Sequence, residues 1–149
     1  MDGRPILVVV DFNNTGKSPA INVRTCQITK VVKPSKSLNI NCPTEAMSPG
    51  SQVVLANGVT HRMGNAVGAD NVPPLTPDGL LIPTLHEGLR RGRRIAITYG
   101  FVEYDDIFKI HHWTKFCSYL RIMPSASGLP EMNNWIGCEA GNDIDPDYN

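Results

Sequence analysis

Residues 94–123 are the most densely patterned part of the chain and constrain its fold more than any other stretch. Ile95, Ile97, Tyr99 and Phe101 stand at alternate positions, the period of a strand with one buried face. The second arm, 111–123, places Trp113, Cys117 and Tyr119 on one face, and Phe116 among Thr114, Ser118, Leu120 and Ile122 on the other. Large apolar groups on both faces are the mark of a central strand. The polar-led connection Asp105-Asp106-Ile107-Phe108-Lys109 suits a hairpin loop. An antiparallel hairpin at the centre of a β-structure is therefore predicted, with Trp113 buried beside the opening strands.

The rest of the chain is read around that hairpin. Residues 6–12 form a continuous apolar strand, expected to be buried on both faces. A turn through Asn13, Asn14, Gly16 and Pro19 follows, with Asn and Gly supplying positive φ. The strand 20–32 returns to complete an opening hairpin, and its apolar phase shifts at Arg24-Thr25, where a β-bulge is predicted. Residues 33–50 read as a long irregular crossover. Short strand material surrounds Val53, Val54 and Leu55, Asn57-Gly58 marks a tight turn, and 63–74 is a Gly/Ala/Asn-rich excursion. Thr76-Pro77-Asp78 would cap one short helical turn, and a second would run through Thr84, Leu85, His86 and Glu87 to Gly88. Trp135, Ile136 and Cys138 form a last docking element before a loose acidic tail over 139–149.

Composition excludes several classes. With 149 residues the chain is expected to be one domain, 1–149, and its 41% hydrophobic and 19% charged content argues against global disorder. Fourteen basic residues balance 14 acidic ones, so no general nucleic-acid footprint exists. Nothing approaches the roughly 18 consecutive apolar residues of a membrane span. The 13 Gly and 12 Pro are scattered, which favours many short strands over a helical bundle.

No residue set compels a chemistry. Gly16-Lys17-Ser18 resembles the end of a phosphate-binding loop, but Asp11 stands where its first glycine should be and a strand follows instead of a helix. His111 and His112 are adjacent, so on a strand they point to opposite faces; a metal-dependent enzyme using either is the weakest reading. Asp143, Asp145 and Asp147 alternate like a calcium loop without its glycine or its glutamate, and read as solvated. Arg90, Arg91, Arg93 and Arg94 are the one basic cluster, a candidate grip for a small or phosphorylated ligand. No nucleophile with its base is legible, and no cofactor or metal is called for. Cys26, Cys42, Cys117 and Cys138 lack C-x-x-C spacing, which leaves disulfides and buried thiols both open.

Three fragments together resemble an uncharacterised family of bacterial membrane-anchored proteins with an extracytoplasmic β-rich domain. They are Asn14-Thr15-Gly16-Lys17-Ser18-Pro19-Ala20, similar to N-T-G-x-[ST]-P-A; residues 99–108, similar to Y-G-x-[IV]-x-Y-x-D-x-F; and residues 112–117, similar to H-[WY]-T-x-F-C. The chain departs from that pattern in Lys109, where a glycine is usual, and in lacking the family's N-terminal membrane helices. Membrane attachment is then expected through a segment outside this chain. The resemblance implies fold and topology rather than activity, and it casts Gly16, Pro19, Tyr104, Asp106, Trp113 and Phe116 as framework.

An all-β, immunoglobulin-like sandwich of about seven strands, with long loops and one or two short helical turns, is the expected fold. Its expected role is a non-catalytic extracytoplasmic binding or assembly domain, on the periplasmic side of the inner membrane, with a protein partner or a second copy of itself. The alternative is a ligand sensor using the 90–94 arginines. An oxidising location would join Cys117 to Cys138, pinning the sparse C-terminal segment to the central strand, and Cys26–Cys42 would be the less secure second pair.

Overall fold

The computed structural model describes residues 7–34, 41–42, 54–66, 68–69, 83–123 and 132–146. The N-terminal residues before 7, most of the 33–50 crossover and the Thr76-Pro77-Asp78 turn lie outside them. The strands are β1 (Leu7–Asn13), β2 (Ile21–Val32), β3 (Thr60–Ala66), β4 (Gly68–Ala69), β5 (Ile95–Asp105), β6 (His111–Met123), β7 (Met132–Gly137) and β8 (Asp143–Ile144). One helix, α1, spans Pro83–Arg90. The fold is all-β, with two sheets packed in a sandwich-like arrangement.

The large sheet has the order β4-β2-β5-β6-β7, with β8 also on β6. Its centre is the hairpin read from the sequence: β5 and β6 pair antiparallel from Ala96↔Leu120 to Asp105↔His111. Residues 96–100 are all buried, in a strand with a neighbouring strand on each side. Burying side chains such as Ile97, which is fully inaccessible, stabilises the fold by about 1.5–3 kcal/mol each.

The opening hairpin is not formed. β1 pairs with β3, from Leu7↔Ala66 to Asn13↔Thr60, as a separate two-stranded ribbon. Both edges of β2 are taken, one by β5 along most of its length and one by β4 in parallel at Lys30↔Gly68. The chain therefore crosses from one layer to the other at residues 14–20. β1 is consequently buried on one face only: Val8 is 5% exposed, whereas Val9 is 46% exposed. The crossing turn uses no positive φ at Asn13, Asn14 or Gly16. Instead Asn14 Oδ1 accepts the Gly16 N–H at 3.0 Å, while its amide donates to the Ser18 and Leu55 carbonyls. The bulge in β2 falls between Ile21 and Arg24, slightly before the expected position, with Asn22 at φ 55°.

The ribbon and α1 cover the same face of the large sheet. Leu85 and Leu89, one turn apart on α1, join Val8, Val31, Ala96 and Leu120 in one cluster. The helix begins at Pro83, where a missing N–H costs nothing, and continues two residues past Gly88. A second cluster of Ala20, Val23, Leu55 and Val102 is flanked by Phe12, Met63 and Tyr104. Gln27 ties the layers together by donating to the Val8 carbonyl. The opposite face of the sheet carries Val32, Ile97, Tyr99 and Cys117, with Cys138 packed against them.

Two disulfides form, Cys26–Cys42 and Cys117–Cys138, the mark of an oxidising, extracytoplasmic environment. No helix among the described residues is long and apolar enough to cross a membrane.

The acidic tail is docked, not loose, through Asp145. β7 zips Ser118–Met123 of β6, and β8 pairs at Thr114 and Lys115. Between them the Asn142 side chain replaces a strand: its Oδ1 accepts the Cys117 N–H at 2.8 Å, and its Nδ2 donates to the Cys117 and Cys138 carbonyls at 3.0 Å. The Asp145 N–H then donates to the Trp113 carbonyl. The carboxyl of Asp145, expected in solvent, is buried because His112 Nδ1 donates to it at 2.9 Å.

Candidate functional site

The β5–β6 connection is where the fold departs most from an ordinary protein surface. Asp106 organises it. Its Oδ1 accepts the N–H groups of Phe108 and Ile110 at 2.8 and 2.9 Å, and its own N–H donates to the Ile110 carbonyl. The Lys109 N–H closes the turn on the Asp106 carbonyl. Lys109 itself sits at φ 65°, a left-handed conformation that glycine adopts without steric cost. Local hydrogen bonds thus satisfy the polar backbone of the turn and leave its side chains pointing outward. Ile107 is 54% exposed, Phe108 74% and Ile110 52%. Three large apolar side chains in four residues, unburied and held by a braced turn, form a preorganised apolar tip.

The base of the tip is braced on both faces of the hairpin. On one, His112 Nε2 stands 3.5 Å from Asp106 Oδ2 while its Nδ1 holds Asp145, so the turn is linked to the C-terminal segment. Tyr104 packs against the same imidazole, with ring centroids 5.2 Å apart. Burial opposes charge on Asp106, but the Ile110 and Phe108 N–H groups and His112 prevail and hold its carboxyl below the usual range. On the other face, Asp105 accepts from Asn22 at 2.9 Å and from His111 at 3.1 Å. The Asn22 amide, then His111, likewise lower its pKa. Arg24 and His111 both meet Glu103.

Behind the tip, between ribbon and large sheet, lies a half-open cavity of about 300 Å³. Val10 and Phe12 wall it from the ribbon, Val23, Val102 and Phe116 from the sheet, and Leu55 from the segment before β3. Phe116 rests over Gly100, where a side chain is sterically excluded: a Cβ would fall on the Cys26 carbonyl and within 2.8 Å of Phe116 Cζ.

The residues singled out by sequence fall apart: Asp106 orders the tip, Tyr104 and Phe116 line the cavity, and Gly16 and Pro19 lie in the crossing turn. Trp113 is only half-buried. It opposes Glu103, on the face away from Tyr104 and the ribbon, and Lys115 Nζ covers its ring at 4.9 Å. The arginines do not converge. Arg90 and Arg91 both pair with Glu87, pulling its pKa down to about 2, and Arg94 lays its stem on Gly88. Arg93 is exposed, and none of the four lines the inter-sheet cavity.

Sequence reasoning missed Ile107, Phe108 and Ile110 as a unit, although an apolar run beside a turn-forming Asp is its visible signal. It also missed His112–Asp145, which no spacing announces. Among the described residues, no group of three or more His, Cys, Asp or Glu side chains is disposed to hold a metal ion. Comparison of the chain with protein-family models, with curated proteins and with solved structures finds no match.

Proposed function

We propose that the chain is a non-catalytic binding or assembly module that works outside the cytoplasm, on the periplasmic side of a bacterial inner membrane, and grips a protein partner through the 107–110 tip. The observation that carries this reading is the exposure of Ile107, Phe108 and Ile110 on a turn already ordered by Asp106. Exposed apolar groups lose little entropy on binding when their backbone is fixed beforehand, and buried aromatic anchors commonly dominate interface energetics. The two disulfides support the location, and the immunoglobulin-like, membrane-anchored setting follows the sequence resemblance.

The test is the double variant Ile107→Asp/Phe108→Asp. Its amide spectrum should stay native outside the tip, because neither side chain is buried. Affinity capture from the native host's extracytoplasmic fraction should then lose proteins that the unaltered chain retains. An unchanged captured set with the native spectrum retained would reject the tip as the contact.

A further inference from the structure

The half-open space of about 300 Å³ between the two layers is walled mostly by apolar side chains, the character of a small-molecule site. The two-stranded ribbon contributes Val10 and Phe12 as one wall and the large sheet Val23, Val102 and Phe116 as the other, with Leu55 closing one side. The walls are aliphatic and aromatic, while the rim carries Asp11, Asn13, Asn14 and Thr114. Both oxygens of Asp11 are taken by Arg62, at 2.8 and 3.0 Å, which neutralises that charge beside the mouth. Asn14 is engaged by the Gly16 N–H and the Ser18 and Leu55 carbonyls. Among the described residues, the mouth therefore suits a neutral polar group and offers no uncompensated charge to an ionic one.

We propose that this cavity is a binding site for a small elongated apolar molecule with an uncharged polar end, such as an alkyl or acyl chain ending in a hydroxyl, amide or ester. At roughly 30 Å³ for each water-sized group, the space takes a chain of about ten such groups. The site is independent of the apolar tip, and its test leaves the tip unaltered.

The experiment titrates the disulfide-intact chain with 1-alkanols from butanol to dodecanol, following amide shifts of Val23, Val102 and Thr114. The dissociation constant should fall about fourfold per added methylene, then level off near ten carbons when the cavity is full. An alkanoate of equal length should bind at least about tenfold more weakly, because burying a charge without a partner is unfavourable. The filling variants Val23→Phe and Leu55→Phe should each weaken octanol binding by about tenfold or more. Since such variants can misfold, the chain-length series on the unaltered protein stands alone: absence of saturable shifts at these amides, or a slope that never levels off, overturns the proposal. So does a filling variant that leaves octanol affinity unchanged, or one that converts a dimer to monomer where no alkanol binds, for then a second copy occupies the space.

Discussion

Removing the Cys117–Cys138 disulfide, as Cys117→Ala/Cys138→Ala, should destabilise the domain by about 3–4 kcal/mol. The bridge closes a loop with a sequence separation of 21, and the chain-entropy expression for about 22 residues gives about 3.4 kcal/mol at 25 °C. Cys117 is 1% exposed, so losing its sulfur also leaves a small unfilled space in the cluster around Tyr99. The backbone bond from the Cys138 N–H to the Cys117 carbonyl, the Asn142 clamp and β8 all depend on the segment that the bridge pins. Against the 5–15 kcal/mol margin of ordinary domains, this loss is a large fraction, equivalent to about 10 °C in Tm for a chain of this length. Urea unfolding followed by tryptophan fluorescence measures it. A loss below about 1 kcal/mol with the same denaturant slope would show that strand pairing and Asn142 alone hold the C-terminal segment, and would refute the entropic reasoning.

Gly100→Ala should cost about 2–3 kcal/mol or more, the scale of overpacking, because its methyl meets backbone at Cys26; an unchanged urea midpoint would mean the β2–β5 register gives way freely. Asn142→Ala should cost about 1–3 kcal/mol, since it leaves the Cys117 N–H without the Asn142 oxygen while the Cys117 carbonyl keeps the Cys138 N–H, and hydrogen exchange should quicken at Cys117. Asp105 and Asp106 have folded-state pKa values below their unfolded ones, so their stabilisation is full above the ordinary carboxylate pKa near 4 and fades as pH falls through the folded values. Asp106→Asn keeps an oxygen for the Phe108 and Ile110 N–H groups but should flatten the loss of stability as pH falls below the ordinary carboxylate range, measured by urea midpoints; an unaltered slope would contradict the assignment.

The β5–β6 hairpin was legible because its alternation runs the length of both arms with large side chains, and the pairing is local. The same local logic failed for β1 and β2. Their short turn suggests a hairpin, but β1 pairs instead with β3, about fifty residues away in sequence. β3, with Gly64 and Asn65 in its middle, carries no apolar alternation and reads as a loop, so the second sheet was invisible. Asp145 misled through its charge: burial became affordable only beside His112, a pairing across 33 residues. Trp113 was placed in the core with Cys117 and Tyr119, whose face it shares by alternation, whereas at its own position it is only half-buried, with Lys115 Nζ over its ring. For the candidate site, the individual residues were legible at Asp106, Tyr104 and Phe116. The tip and cavity were not, since each depends on which layer stands behind a given strand.

The most direct measurement is photo-crosslinking in the native host, with p-benzoylphenylalanine replacing Phe108 in one strain and exposed Lys17 in another. Phe108 is 74% exposed, so the probe can enter without disturbing the core. A tip that is the contact surface yields one or a few discrete protein adducts from position 108 and none from position 17. Adducts absent at 108, or the same at both positions, would contradict it.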